Sequence, residues 1–161
     1  MRVMATSGIP RRSTLDWTLE AISLTALAAM FLFVWMRMPE LSEIVGRRFG
    51  ASSAAKNAFW FICLVAAGIW LVFTVSVASL RWIQRLSPGK RGLPEVLYLQ
   101  RSMMLWVKAV IMLAIGYIVW VEVGIARGSA RRLNAAFTPI VAGATLLIMA
   151  VYFVRMARSR K

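Results

Sequence analysis

The stretch NAFWFICLVAAGIWLVFTVSVASL, residues 57–80, decides the fold class. It contains no Asp, Glu, Lys or Arg, and it satisfies the roughly 20 residues that a helix needs to cross the hydrocarbon core of a bilayer. Backbone groups inside lipid have no water to bond, so an isolated apolar run of this length reads as an α-helix. A second charge-free run covers Leu133 to Val154. Two others carry charges: Leu15 to Met36 contains Asp16 and Glu20, and about Met103 to Ala126 contains Lys108 and Glu122. We place each charge within a turn or two of a helix end, where a long side chain reaches the headgroups. The expectation is an all-α membrane protein, a single domain over residues 1–161. Its four transmembrane helices are expected at about 14–36, 57–82, 94–126 and 133–155.

Tryptophan placement tests these spans independently, because Trp and Tyr favour the headgroup level at both faces of a membrane. Trp17 and Trp35 bracket the first span, Trp60 and Trp82 the second, and Trp106 and Trp120 the third. These six are read as interface anchors. Only Trp70 falls in the middle of a span.

Composition agrees. Sixty per cent of the residues are apolar and the mean hydropathy is +0.71, against an apolar share of about 45–50% in soluble domains. The net charge of +14 comes from 20 basic and 6 acidic residues. Arg11–Arg12, Arg47–Arg48, Lys90–Arg91, Arg131–Arg132 and the group Arg155, Arg158, Arg160 and Lys161 all lie before, between or after apolar runs. That pattern fits topology signals and anionic lipid headgroups, and it argues against nucleic acid as a partner. There is no histidine, which removes the commonest ligand of metals and haem and the commonest acid–base catalyst. The one cysteine, Cys63, excludes an intrachain disulfide and reads as a small buried apolar residue. No cofactor, metal or catalytic site is expected, and the ten methionines read as adaptable apolar filler.

Orientation follows from the excess of Lys and Arg in cytoplasmic segments. With the N-terminus inside, the inner segments hold twelve basic residues, Arg101 among them, and the outer loops seven. Both termini are therefore expected in the cytoplasm of a bacterium, with the chain in its inner membrane. The N-terminal segment is not expected to be a cleavable signal, since its apolar run is long and contains acids. Ser13 and Asp16 have capping-box spacing, which starts the first helix near Thr14. Pro94 suits the first turn of the third helix, and Pro139 is placed to bend the fourth. Ser87-Pro88-Gly89 is a break. The segment Arg37 to Lys56 reads as a long outer loop, and Arg127 to Arg132 as a tight turn joining the last two helices. Ala21, Thr25, Ala29, Gly68, Gly116, Gly124, Gly128 and Gly143 are small enough for close helix approach, and Gly124 and Gly128 have dimer-motif spacing. Because Gly128 begins a loop, helix termination is the favoured reading for it.

The first and third helices run in the same direction, and their charges can be matched by depth. Treating the separations of 17 residues (Glu20 to Arg37) and 14 residues (Lys108 to Glu122) as near whole turns, we expect two ionic rungs. These are Glu20–Lys108 and Glu122–Arg37. Pairing would offset the roughly 2.5–3.5 kcal/mol that an unpaired charge costs at mid-membrane.

The segment Met103 to Gly128, with Lys108 after its start and Gly116-Tyr117-Ile118 before Trp120, carries a resemblance, as does the expected long loop before the second helix. It resembles the small bacterial membrane proteins of the domain-of-unknown-function 1648 family, related to the SdpI immunity and signalling proteins. That family's outer loop has a proline, a His-Phe-Asn-like triplet, a glycine and a lysine. Pro39, Phe49, Gly50 and Lys56 match part of it, while the histidine and asparagine are missing. The resemblance implies a partner loop at those four residues.

The expected function is that of a non-enzymatic membrane protein. It would bind a membrane protein partner in an immunity-like or sensing role, or serve as an accessory subunit of a membrane complex. The alternative is a small proton-coupled transporter using Glu20. That glutamate in a first helix is the one feature shared with the small multidrug transporters, which are also four-helix proteins. A membrane enzyme would group its acids at one depth, and the six acids here are scattered.

Overall fold

The computed structural model describes residues 13–49, 53–86, 93–129 and 134–158. They form four helices: α1, Thr14–Phe49; α2, Ser53–Leu86; α3, Leu93–Ala126; and α4, Phe137–Arg158. There is no strand among the described residues. Each helix contains a segment long and apolar enough to cross a membrane: Thr14–Pro39, Phe59–Leu80, Glu95–Ile125 and Phe137–Arg158. The chain is thus a multi-pass helical membrane protein.

Local signals set most helix ends. Ser13 starts α1: its Oγ accepts the Asp16 N–H at 3.3 Å and its carbonyl accepts the same group at 3.0 Å. This satisfies donors that a first turn leaves without partners. At the end of α3, Ser129 N–H donates to the Gly124 carbonyl at 2.9 Å and Gly128 N–H to Ile125 at 3.0 Å. That is a Schellman stop, and the residue at its turning point needs a left-handed backbone. Gly128 has φ 78° there, so its role is termination. The α3–α4 connection is longer than expected because Asn134 Oδ1 accepts the Ala136 N–H at 3.0 Å, holding two more residues in a turn before Phe137. Pro139 falls in the first turn of α4, where a missing N–H removes no ladder bond and forces no bend.

The expected long outer loop is not a loop. Helix α1 runs through Pro39 to Phe49, and α2 begins at Ser53. Pro39 lies inside α1, Phe49 is its last residue, and Lys56 lies in the first turn of α2. Gly50 lies outside the described residues. Polarity marks where lipid ends, not where a helix ends. Glu40, Leu41, Glu43 and Ile44 carry no backbone penalty, and Pro39 is exposed at the edge of the apolar span, where water can take the carbonyl that its ring leaves unbonded.

Helix α3 is central. It packs against the other three, and its seam with α1 is the most extensive. Among the described residues, helix α2 touches α1 and α3, whereas α4 touches α3 alone and has no buried residue. Two contacts fix the α3–α4 register: the Tyr117 and Phe137 rings, 4.5 Å between centroids, and the Ser102 and Tyr152 hydroxyls, 2.7 Å apart. The same sequence interval separates the partners on both helices, as an antiparallel pair requires. The small residues expected to bring helices together do not: Gly68 and Gly143 are exposed with open space around them, and Ala21, Thr25 and Ala29 are exposed. Leu, Val and Met fill most of the seams, with Cys63, Ala66 and Ala109 as the small residues among them.

Candidate functional site

The interior of α1, α2 and α3 divides into two parts. One is wholly apolar. Met30, Val34, Cys63, Ala66 and Val119 are buried together, flanked by Phe31, Phe59 and Ile115. The other, nearer the start of α1 and α3, is charged.

Asp16, 1% exposed, meets Arg101 with Oδ2 2.9 Å from a guanidinium nitrogen. Deeper in α3 is Lys108, also 1% exposed. Its Nζ donates to Thr74 Oγ1 of α2 at 2.9 Å and lies 4.1 Å from the centre of the Trp70 ring. Glu20 of α1 is near enough to act on Lys108 electrostatically. Ser23, fully buried one turn on from Glu20, turns its hydroxyl back to the Glu20 carbonyl at 2.9 Å. A satellite apolar cluster of Leu19, Val77, Leu105 and Ala109 packs through this region.

Depth gives the lysine its meaning. At 1.5 Å per residue, Lys108 lies about 20 Å along α3 from Glu95 and about 26 Å from Ile125. Trp70 sits close to the centre of its own span, Phe59–Leu80. Lys108 is therefore near the middle of these apolar segments and, sealed at 1% exposure, does not reach an end of the span. The roughly 2.5–3.5 kcal/mol cost of a charge at this depth is matched by its neighbours. A desolvated cation over Trp contributes about 2 kcal/mol and an interhelical hydrogen bond about 0.6 kcal/mol, before Glu20 is counted. This also accounts for the one tryptophan that lies in the middle of its span. Its ring face serves Lys108, while its buried Nε1 has no partner.

The two expected rungs fare differently. Glu20 and Lys108 lie on the α1–α3 seam within electrostatic reach, with the lysine's hydrogen bond going to Thr74. Taking Asp16–Arg101 as a common level, Lys108 is about one turn deeper than Glu20. Glu122 and Arg37 are not brought together. Val121 and Val123 are buried, and at 100° per residue the residue between them points away from their common direction; Glu122 is exposed. Seventeen residues also turn Arg37 about 100° from Glu20, so one seam cannot hold both. Arg37 instead lines a cavity between α1 and the end of α3.

Of the interface anchors, Trp17, Trp35, Trp82, Trp106 and Trp120 are exposed on the outside of the helices. Trp60 is half-buried, packed against Phe31 and edge-on to Trp35. Sequence reasoning missed Asp16–Arg101, Thr74, Trp70 and the Ser102–Tyr152 contact. A usable signal existed: Asp16 and Glu20 are four residues apart, Arg101 and Lys108 seven, and both spacings keep a helix face. Comparison of the chain with protein-family models, curated proteins and solved structures found no match.

Proposed function

We propose that this chain is a non-enzymatic protein of the bacterial inner membrane, acting by binding a membrane protein partner. In this reading it is an accessory subunit or an immunity- or sensing-like protein, as the resemblance to the SdpI-like family implies. The observation that carries it is the state of Lys108. A cation sealed at 1% exposure, held by Thr74 and Trp70 of α2 and within electrostatic reach of Glu20 of α1, ties α3 to both neighbours, and that use of charge supports a rigid scaffold over a transport path. Helix α4, bound to α3 alone, leaves most of its surface available to a neighbour in the membrane. Both termini are cytoplasmic by the distribution of basic residues, and the basic clusters meet anionic headgroups. Affinity purification from native membranes in mild detergent tests the reading. A stoichiometric protein partner is the expected result, and recovery of the chain alone would overturn it.

One observation favours a second reading. Glu20 is only half-buried and acts on Lys108, an acid–base arrangement that a small proton-coupled transporter could use. Proton flux in proteoliposomes, abolished by Glu20→Gln, would establish it in place of the scaffold.

A further inference from the structure

Away from the charged cluster, a cavity of about 270 Å³ opens between α1 and the end of α3. Arg37 and Arg127 line it, no acid is among its described lining residues, and Phe33, Trp120 and Val123 form its apolar wall. Its depth follows from the spans. Arg37 lies just before the end of Thr14–Pro39, Arg127 just beyond the end of Glu95–Ile125, and Phe33 one turn deeper than Arg37. Two guanidiniums at the headgroup level therefore stand above an apolar wall at the level of the first acyl carbons. Trp120, exposed on the lipid side, marks the same boundary.

We infer that this cavity binds the phosphate of an anionic lipid headgroup, with the start of the acyl chains against Phe33 and Val123. Arginine suits this role because its planar fork matches phosphate oxygens two at a time. Both arginines also engage protein neighbours, but five N–H donors on each leave capacity for a ligand. The Ser129 hydroxyl donates to the Gly124 carbonyl at 3.0 Å, so the charge-assisted donors are the arginines. The volume is just below the roughly 300 Å³ at which small-molecule pockets begin. It accommodates a headgroup phosphate and leaves the chains in the bilayer. The site depends on the chain spanning a membrane and not on which face the termini occupy.

Native mass spectrometry of the full chain in detergent tests this, with phosphatidylglycerol and phosphatidylcholine of matched chains as separate probes and inorganic phosphate as a third. Preferential retention of phosphatidylglycerol is expected, falling about thirtyfold in R37Q/R127Q, at about fivefold per arginine near the membrane surface. R37K/R127K should keep much of the preference, and circular dichroism would verify the helices of each variant. If the double variant does not fold, R127Q alone serves, since Arg127 lies beyond the end of α3. Binding of inorganic phosphate alone that is lost in R37Q/R127Q would support the phosphate site and assign it a soluble source. Equal retention of the two lipids, or a folded R37Q/R127Q that retains phosphatidylglycerol as the unaltered chain does, would overturn the proposal.

Discussion

The two parts of the interior solve the same problem by different physics. Near the start of α1 and α3, Asp16–Arg101 and Lys108–Thr74 join helices through groups that lipid solvates badly. Further along, Met30, Val34, Cys63, Ala66 and Val119 join them by shape alone. In water the apolar part would dominate, because burial there removes hydrocarbon from water. In a bilayer the lipid tails are as apolar as the side chains, so apolar burial loses most of its advantage and only close packing remains. The charged part therefore carries an asymmetric weight: intact it contributes modestly, but broken it leaves a charge with nowhere to go. It also selects which helices meet, since Lys108 requires a ring and a hydroxyl from α2 and an acid from α1, whereas a valine accepts any apolar neighbour.

The largest effect is expected from Asp16→Ala. It leaves Arg101 mostly buried and uncompensated, a loss of about 3–5 kcal/mol, read as a lower denaturation midpoint in detergent micelles. Replacing both partners with apolar residues, as in D16L/R101M, should recover most of that loss. If Asp16→Ala alone is silent, the charged part has no special weight. Met30→Ala probes the apolar part and should fall near the low end of the roughly 2–5 kcal/mol measured for such truncations, because lipid replaces water as the reference. A greater loss from Met30→Ala than from Asp16→Ala would reverse the comparison. Thr74→Val removes one interhelical hydrogen bond while keeping the side chain's shape, and should cost about 0.6 kcal/mol. Leu146→Ala, on the exposed face of α4, should stay within about 0.5 kcal/mol of the unaltered chain. A larger effect measured in native membranes but not in detergent would reveal a partner on that face.

How much was legible varies by residue. Asp16 was visible as a helix-start residue, and the Ser13 cap is there, but its carboxylate serves Arg101. Arg101 reads as a basic residue outside the membrane because it precedes the apolar run at Met103. The apolar segment of α3 runs from Glu95 to Ile125, which places Arg101 inside it, where a buried acid neutralises it. An apolar-run criterion cannot anticipate that exception, since the compensating charge lies on another helix. The same blindness makes α2 look like a plain span, although its Thr74 and Trp70 hold the deepest charge. The segment after Met36 reads as a loop for a different reason: hydropathy reports the edge of the bilayer, and a polar helix continues past it unseen.

The local code by itself determined the four spans, the Ser13 start and the Gly128 stop. Each depends on residues within a few turns of one another and on the thickness and polarity of the bilayer. Only the tertiary structure decided that Lys108 would rest on Trp70, that Asp16 would find Arg101 while Glu122 faces outward, and that α4 would stand apart on α3. Those outcomes depend on how each helix is rotated and which helix lies beside it. Rotation and neighbourhood are set by the packing of all the seams at once, a property that no single span carries.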